Sequence, residues 1–264
     1  MVEARPVDTG QAASELMEAM RSRAVLDAPS QRHPGFSAED GYAIAREIQN
    51  ERIAAGWHVA GWKLGFTNRE VWRDLDLDQP FWAPIYEETI SEELTVSLDG
   101  YVGPRIEPEI MLGFRSDVSR DSSLAEIGAA LGWASLGFEL VHCHYPEWNM
   151  APADAIADAG LHGLLLVGDR LEAPPDADQR LAETAVELLR GEEVVARGKG
   201  SNALGGPLEA VAWFLTLPGV EGIRVDEIVT TGSLTPAFPV ARGESWFVRP
   251  TDPVAVRERR VSFS

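Results

Sequence analysis

The sequence predicts an α+β fold, in which a small helical N-terminal part (residues 1–56) leads into a β-rich core (residues 57–264). Apolar residues recur at helical spacing between residues 10 and 27 and again in the segment that ends near residue 55. Beyond residue 56 the pattern changes to short alternating runs separated by Gly, Pro and Asp, which is typical of strands. Helices do not separate these runs regularly, which argues against a doubly wound parallel sheet. The two parts can also be counted as one domain.

Sequence signals mark the ends of the two N-terminal helices. Thr9 is predicted to cap the first helix. Ser37 and Asp40 have the spacing of a capping box and are predicted to open the second helix. Gly56 is predicted to end it, because glycine readily adopts the left-handed conformation that terminates helices.

The remainder of the chain predicts mostly strands. A helix is predicted over 123–131, and another after Gly206, where Pro207 takes the first helical position. The predicted strands cover residues 57–66, 105–114, 134–142, 161–167, 184–189, 193–196, 222–231, 245–249 and 254–261.

Composition restricts the possible partners. A formal net charge of −19 repels phosphate backbones and anionic membranes, so neither nucleic acid nor a membrane is expected as a partner. An anionic substrate would need a local positive group, such as a cation, a lysine or a helix N-terminus. The single cysteine, Cys143, and the lack of an apolar segment at the N-terminus predict a cytoplasmic location.

Two glutamates on one predicted strand indicate a metal site. Glu107 and Glu109 share a strand face, with roughly 6.5–7 Å between their positions along the backbone. Two carboxylates that face one point repel each other unless a cation joins them, and Mg²⁺ and Mn²⁺ prefer oxygen ligands. The alternative interpretation is an edge strand with a solvated acidic face.

A third carboxylate strengthens this hypothesis. Glu139 lies in the apolar run 136–141, where an unpaired charge is costly to bury, so a metal shared with the other two glutamates would stabilise it. Pairing with an arginine remains the alternative. His142 and His144 form only a poor match to a cupin metal motif, and packing or hydrogen bonding is the better interpretation of these histidines.

Lys63 is predicted to lie inside an apolar strand, where lysine is almost never buried without a partner. That partner is either a substrate carboxylate or enolate oxygen, or a structural carboxylate of the protein. The segment 198–202 is rich in glycine but lacks the spacing of a P-loop or a dinucleotide fingerprint, so we expect no nucleotide or flavin cofactor.

Several segments, taken in order, resemble those of the 2-keto-4-pentenoate hydratase and 4-oxalocrotonate decarboxylase family, within the fumarylacetoacetate hydrolase-like superfamily. The resemblance covers nearly the whole chain from about residue 40. It depends on the segments 61–67 (GWKLGFT), 77–80 (LDQP), 105–109 (RIEPE), 138–141 (FELV), 203–213 (ALGGPLEAVAW) and 231–235 (TGSLT).

The resemblance implies a fumarylacetoacetate hydrolase-like core and one Mg²⁺ or Mn²⁺ ion bound by Glu107, Glu109 and Glu139. It implies a substrate whose 1-carboxylate and 2-oxo oxygen chelate the ion, with Lys63 placed to neutralise the carboxylate or enolate. The implied reaction adds water to a 2-hydroxy-2,4-dienoate or 2-oxo-4-enoate and gives a 4-hydroxy-2-oxo acid, in meta-cleavage catabolism of aromatic compounds.

The alternatives are a 4-oxalocrotonate-type decarboxylase or another 2-oxo acid lyase or hydrolase of the superfamily. Phe81 and Trp82, with Tyr86, are predicted to wall the pocket for the substrate tail, and an apolar wall favours the hydratase. The resemblance also places Gly232 and Ser233 at the substrate.

The proton-transfer group is left open by a departure from the family pattern. Family hydratases often carry a serine in a D-N-A-S-S-like stretch, whereas this chain has Asp-Ala-Gly-Leu-His at 158–162. His162 is the first candidate because imidazole titrates near neutrality. Asp78 and Asp158 are the rival candidates.

The eight tryptophans, together with the family resemblance, predict a homo-oligomer. A complex with a related decarboxylase or hydratase is possible in such a family. A non-catalytic structural subunit of that complex is the non-enzymatic alternative, although all three predicted metal carboxylates are present.

Overall fold

The computed structural model describes residues 7–69, 72, 79–251 and 255–264, and it confirms the α+β class. The helices are α1 (Thr9–Ser22), α2 (Pro29–Arg32), α3 (Ala38–Ala54), α4 (Leu124–Ala130), α5 (Pro152–Ala157), α6 (Ala177–Glu183) and α7 (Pro207–Leu215). The strands are β1 (Val59–Gly65), β2 (Phe81–Tyr86), β3 (Ile90–Ser91), β4 (Thr95–Val96), β5 (Arg105–Phe114), β6 (Val118–Ser119), β7 (Leu131–Val141), β8 (His162–Leu166), β9 (Leu171–Glu172), β10 (Ala185–Arg190), β11 (Glu193–Lys199), β12 (Gly222–Ile223), β13 (Ile228–Ser233), β14 (Phe238–Pro239), β15 (Ser245–Pro250) and β16 (Arg259–Phe263).

Local capping explains the ends of the N-terminal helices. Helix α1 is capped by Asp8 rather than by Thr9, because the Asp8 carboxylate accepts a hydrogen bond of 3.0 Å from the Gln11 amide. The helix ends at Ser22 because the next residue adopts the left-handed conformation, several residues earlier than predicted. The predicted capping box of Ser37 and Asp40 is confirmed at the start of α3.

The larger sheet has the strand order β2-β1-β13-β5-β7-β8-β3, with β14 also paired to β5 and β9 to β7. Strands β5 and β7 are antiparallel neighbours along almost their whole length. Residues at even positions of β5, Ile106, Ile110 and Leu112, belong to the main hydrophobic core, together with residues of the second sheet, β11-β10-β15-β16-β4. The odd positions of β5 therefore face the other side, where they carry the glutamates.

The N-terminal helices pack beside the end of β7. Leu16, Ile44 and Ile48 form one hydrophobic cluster with Val141 and Leu161 of the sheet region. The helices thus share a core with the segment that follows β7, and a domain boundary at residue 56 stays a prediction. Within the described ranges, no helix is long and apolar enough to cross a membrane.

Some elements differ from the prediction for identifiable reasons. The predicted strand 222–231 is interrupted by a turn at 224–227, where Asp226 has a positive φ of 69°, so that it forms β12 and β13 separately. The last strand begins at Arg259, and residue 254 of the predicted strand lies outside the described residues. Strand β2 was not predicted; it contains Pro84, and it tolerates this proline at the edge of the sheet.

Candidate metal centre and active-site cavity

The three predicted carboxylates meet at the junction of β5 and β7. Glu107 lies directly opposite Glu139 in the antiparallel register, and Glu109 lies two residues further along β5 on the same face. One oxygen from each of the three carboxylates lies within 4.8 Å of the others. The strand pairing therefore produces the convergence, because alternation along β5 and register with β7 bring all three to one point.

Burial without sufficient counter-charge is the main electrostatic feature of this cluster. Lys63 forms an ion pair with the cluster, with its Nζ 2.8 Å from Glu139 Oε1. Burial raises the pKa of Glu107 to about 7, although Lys63 opposes the shift. Burial also raises the pKa of Glu109 well above its ordinary value, and the neighbouring glutamates add to the effect.

Glu139 behaves differently because it has the basic partners. Burial alone would raise its pKa, but Lys63 and then His162 outweigh burial and lower it. Its Oε1 lies 2.8 Å from His162 Nδ1 as well as from the lysine. Its Oε2 is buried and has no hydrogen-bond partner among the described residues. An orphaned carboxylate oxygen of this kind is expected where a ligand supplies the missing interaction.

A divalent cation fits this donor set. When all three glutamates are ionised, Lys63 balances one of their charges and two remain uncompensated, since the lowered pKa of His162 keeps the imidazole neutral. One divalent ion would neutralise the two charges and would also supply a partner for Glu139 Oε2. Carboxylate oxygens are the ligands that Mg²⁺ and Mn²⁺ prefer, so the residues fit the predicted ion.

Lys63 is held rigidly behind the carboxylates. It is 3% exposed, and its Nζ donates a second hydrogen bond of 2.8 Å to the carbonyl oxygen of Gly160. Gly160 is the middle of three successive residues with positive φ, from Ala159 to Leu161. Such backbone is strained for the two non-glycine residues and is found mostly at functional sites. Burial lowers the pKa of Lys63, but the three glutamates outweigh burial and raise it, so the lysine stays charged.

A cavity of about 350 Å³ opens onto the cluster. Glu107 and Glu109 line its acidic end, whereas Glu139, Lys63 and His162 lie behind this lining. The apolar wall consists of Leu64, Phe66, Trp148, Met150, Pro152, Leu161, Pro236 and Ala237.

Arg105 adds a positive group to the cavity lining. It is on the same face of β5 as the two glutamates, and its guanidinium lies 4.2 Å from the centroid of the Trp148 ring. The Trp148 indole donates a 2.9 Å hydrogen bond to the Gly103 carbonyl, which fixes the ring. In the described ranges, no carboxylate is within ion-pair distance of this guanidinium. The alternation along β5 could have identified Arg105 from the sequence.

Gly232 and Ser233, predicted to be at the substrate, lie beside the cluster. The Gly232 amide donates a 3.2 Å hydrogen bond to Glu109 Oε2. Ser233 pairs with Glu109 in the β13–β5 register and lines the cavity, and its hydroxyl donates to the Thr235 carbonyl oxygen at 2.6 Å. The structure therefore brings both residues to the carboxylate cluster, and their role in substrate binding stays a prediction.

The residues predicted to form an aromatic wall for the substrate tail lie outside the described cavity lining, and their role at the substrate stays a prediction. Trp82 packs against Tyr42, Trp62 and Phe214, which is the opposite face of β2 from Phe81. Trp82 is therefore absent from the residues described as lining the cavity. Phe81 contacts the site indirectly, because its ring centroid lies 5.7 Å from Lys63 Nζ.

Tyr86, the third member of the predicted wall, packs against Trp57 and Arg52. The cavity wall comes instead from Phe66, Trp148 and Met150, on loops whose approach the sequence pattern does not reveal.

The two candidate proton-transfer residues that the structure describes, His162 and Asp158, lie outside the described cavity lining. His162 is enclosed between Glu139 and Thr89, with its Nε2 2.8 Å from the Thr89 hydroxyl, and it does not belong to the described cavity lining. Its geometry is that of a residue that positions Glu139. The Asp158 carboxylate is hydrogen-bonded to His144, with Oδ1 2.8 Å from the ring Nδ1. Asp78 lies outside the described residues.

Known hydratases match this chain along most of its sequence. A 2-hydroxyhexa-2,4-dienoate hydratase from Comamonas testosteroni is 30% identical over 235 residues, covering 87% of this chain and 88% of the relative. A 2-keto-4-pentenoate hydratase from Dechloromonas aromatica is 29% identical over 243 residues, covering 90% of this chain and 92% of the relative. No family model matches the chain.

Solved structures show the same fold. A 4-oxalocrotonate decarboxylase from Pseudomonas putida G7, solved with magnesium and adipate, superposes with a TM-score of 0.89 at 22% identity, covering 98% of this chain and all of that one. A fumarylpyruvate hydrolase from Pseudomonas aeruginosa, solved with Mn²⁺ and pyruvate, superposes with a TM-score of 0.55 at 12% identity, covering 76% of this chain and 88% of that one.

The fold is of the fumarylacetoacetate hydrolase-like class, as the sequence predicted. Within that class, the sequence relatives make the family specific. The chain belongs to the 2-keto-4-pentenoate hydratase family.

Proposed function

We propose that this protein is a hydro-lyase that adds water to a 2-hydroxy-2,4-dienoate, or its 2-oxo-4-enoate form, and gives a 4-hydroxy-2-oxo acid. The observation that carries the proposal is the three-carboxylate cluster at the end of a cavity with an apolar wall, in a chain whose relatives are named as dienoate hydratases. Such a cavity suits a substrate with polar oxygens at one end and a short unsaturated tail at the other.

Glu107, Glu109 and Glu139 would hold one Mg²⁺ or Mn²⁺. When bound, the ion acts as a Lewis acid toward a 2-oxo acid. The chain itself contributes the fixed positive charge of Lys63, which is buried behind the glutamates and favours the developing negative charge of an enolate. His162 orients the Glu139 carboxylate through its 2.8 Å hydrogen bond. The proton-transfer group stays a prediction, with His162 as the first candidate and Asp78 and Asp158 as the rivals.

Decarboxylation is the second candidate, and Arg105 is the observation that favours it. A 4-oxalocrotonate-type substrate carries a second carboxylate at its far end, and a guanidinium without a carboxylate partner among the described residues can bind such a group with two parallel hydrogen bonds. Phe81 and Trp82 are absent from the described cavity lining, so the predicted aromatic wall adds no support for the hydratase. The hydratase proposal is therefore supported by the sequence relatives rather than by that wall.

A substrate comparison tests the proposal. Purified protein with Mg²⁺ is mixed with 2-hydroxypenta-2,4-dienoate or with 4-oxalocrotonate, the ultraviolet absorbance is followed, and the products are identified by NMR. We expect loss of the dienoate absorbance with formation of 4-hydroxy-2-oxopentanoate. Release of CO₂ from 4-oxalocrotonate without turnover of the dienoate would replace the hydratase with the decarboxylase. No turnover of either substrate would favour the structural-subunit alternative.

We also propose that the protein is a cytoplasmic homo-oligomer, as the single cysteine and the tryptophan content predict. Light scattering at micromolar concentration tests the assembly. A mass near that of the 28.8 kDa chain would contradict it.

A further inference from the structure

The hydroxyl of Thr67 is a buried polar group without a protein partner. Thr67 follows β1, is 1% exposed and lines the cavity. Its Oγ1 is fully enclosed and has no hydrogen-bond partner in the described part of the chain. Buried hydroxyls almost always have a hydrogen-bond partner, and leaving one unpaired is costly. A partner for this hydroxyl is therefore expected to come from the cavity.

The backbone around Thr67 is fixed, so this hydroxyl has a defined position. The Thr67 carbonyl oxygen accepts a 3.1 Å hydrogen bond from the Leu204 amide. The preceding residue, Phe66, has a positive φ of 56°, and its carbonyl oxygen accepts a 2.7 Å hydrogen bond from the Trp72 indole. These contacts hold the end of β1 against two other segments.

Contact with Gly232 places the hydroxyl at the acidic end of the cavity. A Cβ atom added at Gly232 would lie 1.8 Å from Thr67 Oγ1, so the hydroxyl packs directly on the Gly232 backbone. That backbone has a φ of 105°, and its amide donates to Glu109 Oε2. Thr67 Oγ1 thus packs on the glycine whose amide binds the Glu109 carboxylate.

We propose that the Thr67 hydroxyl donates a hydrogen bond to the carboxylate of the bound 2-oxo acid and is a specificity-determining residue for that group. The inference rests on the proposed function, because it takes a 2-oxo acid as the ligand. The polar oxygens of such a ligand are concentrated at the end that meets the glutamates, whereas its tail is a hydrocarbon that accepts no hydrogen bond. A neutral hydroxyl donates to a carboxylate without adding a charge to the cluster. Lys63 already supplies the positive charge there.

A matched pair of variants tests this assignment. Thr67→Val keeps the side-chain shape and removes the hydroxyl, and Thr67→Ser keeps the hydroxyl. Pyruvate is the probe, and its dissociation constant is measured by isothermal titration calorimetry with Mg²⁺ present. We expect Thr67→Val to weaken pyruvate binding by about 10- to 100-fold, since a hydrogen bond to a charged group is lost. We expect Thr67→Ser to stay within about threefold of the wild type, because the donor is retained.

Thr231→Val is the control for loss of a buried threonine hydroxyl. That hydroxyl donates a 3.0 Å hydrogen bond to the Ile110 carbonyl oxygen, and Thr231 is not among the described residues that line the cavity. We expect this variant to melt at a lower temperature and to bind pyruvate as the wild type does. Thermal melts of all variants show whether the Thr67 variants are folded.

The outcomes separate this inference from the proposed function. Equal pyruvate affinity in Thr67→Val and the wild type would overturn the inference. If kcat on the dienoate is reduced at the same time, the hydroxyl would instead bind the attacking water. If Thr67→Val loses pyruvate binding while the wild type binds pyruvate but does not hydrate the dienoate, the inference is supported and the proposed function is overturned. A wild-type protein that does not bind pyruvate would overturn the inference.

Discussion

Replacing Lys63 by methionine perturbs the charge balance of the site most directly. The chain has two lysines, Lys63 and Lys199, so this change removes the one that lies at the carboxylate cluster. Methionine preserves most of the side-chain volume. The substitution leaves Glu139 Oε1 with His162 as its remaining partner and leaves the Gly160 carbonyl oxygen without its 2.8 Å donor.

The structure sets the expected magnitude. Lys63 is a fixed charge in a buried site, and loss of a group of this kind lowers kcat/KM by about two to four orders of magnitude. Removing one partner of a buried ion pair costs about 3–5 kcal/mol when the other charge remains. The stability loss should be at the lower end of that range, because His162 still binds Glu139 and the carboxyl group can take up a proton.

The assay is the decrease in dienoate absorbance with Mg²⁺, with circular dichroism to verify folding. Lys199→Met is the matched control, because Lys199 is exposed at the end of β11 and makes no ion pair within the described ranges. We expect the control to retain wild-type kcat/KM. A folded Lys63→Met protein with wild-type kcat/KM would refute the reasoning.

Three further predictions concern the surroundings of the carboxylates. His162→Ala should weaken Mg²⁺ binding by about 10- to 100-fold in calorimetry, because it removes the group that orients Glu139, and an unchanged affinity would contradict this role. Gly232→Ala should lower the melting temperature and reduce kcat/KM, since its Cβ would overlap the Thr67 hydroxyl, and an unchanged melt would contradict the described packing. Folding raises the pKa of Glu107 from its ordinary value of 4.5 to about 7, so the metal-free protein should lose stability as the pH rises through this range. The increase in melting temperature caused by Mg²⁺ should grow over the same range. Melts at pH 5.5 and 8 with and without Mg²⁺ measure both effects, and a pH-independent Mg²⁺ shift would contradict the assignment.

The carboxylate cluster was predictable because it depends on local regularities. Strand β5 has the predicted bounds, and period-2 alternation along it placed Glu107 and Glu109 on one face. The apolar surroundings of Glu139 required a partner, and the sequence pointed to a shared cation. The register between β5 and β7, which sets Glu107 opposite Glu139, followed only from the folded chain.

The cavity wall was less predictable because loops form it. Alternation in β2 separates Phe81 from Trp82, but the sequence did not show which face meets the site. The left-handed turn at Ala159–Leu161 includes two non-glycine residues, for which no local pattern predicts a positive φ. The bond between Lys63 and the Gly160 carbonyl depends on this turn, so the lysine's second partner could not be inferred from the sequence.

The central claim is that Glu107, Glu109 and Glu139 hold one divalent cation that the reaction requires. Titration of the metal-free protein with Mn²⁺, followed by electron paramagnetic resonance, measures this site directly. We expect one Mn²⁺ per chain in the wild type and no binding at that affinity in Glu109→Gln, with dienoate turnover restored by Mn²⁺ only in the wild type. Equal Mn²⁺ binding by the two proteins, or full turnover by the metal-free wild type, would contradict the account.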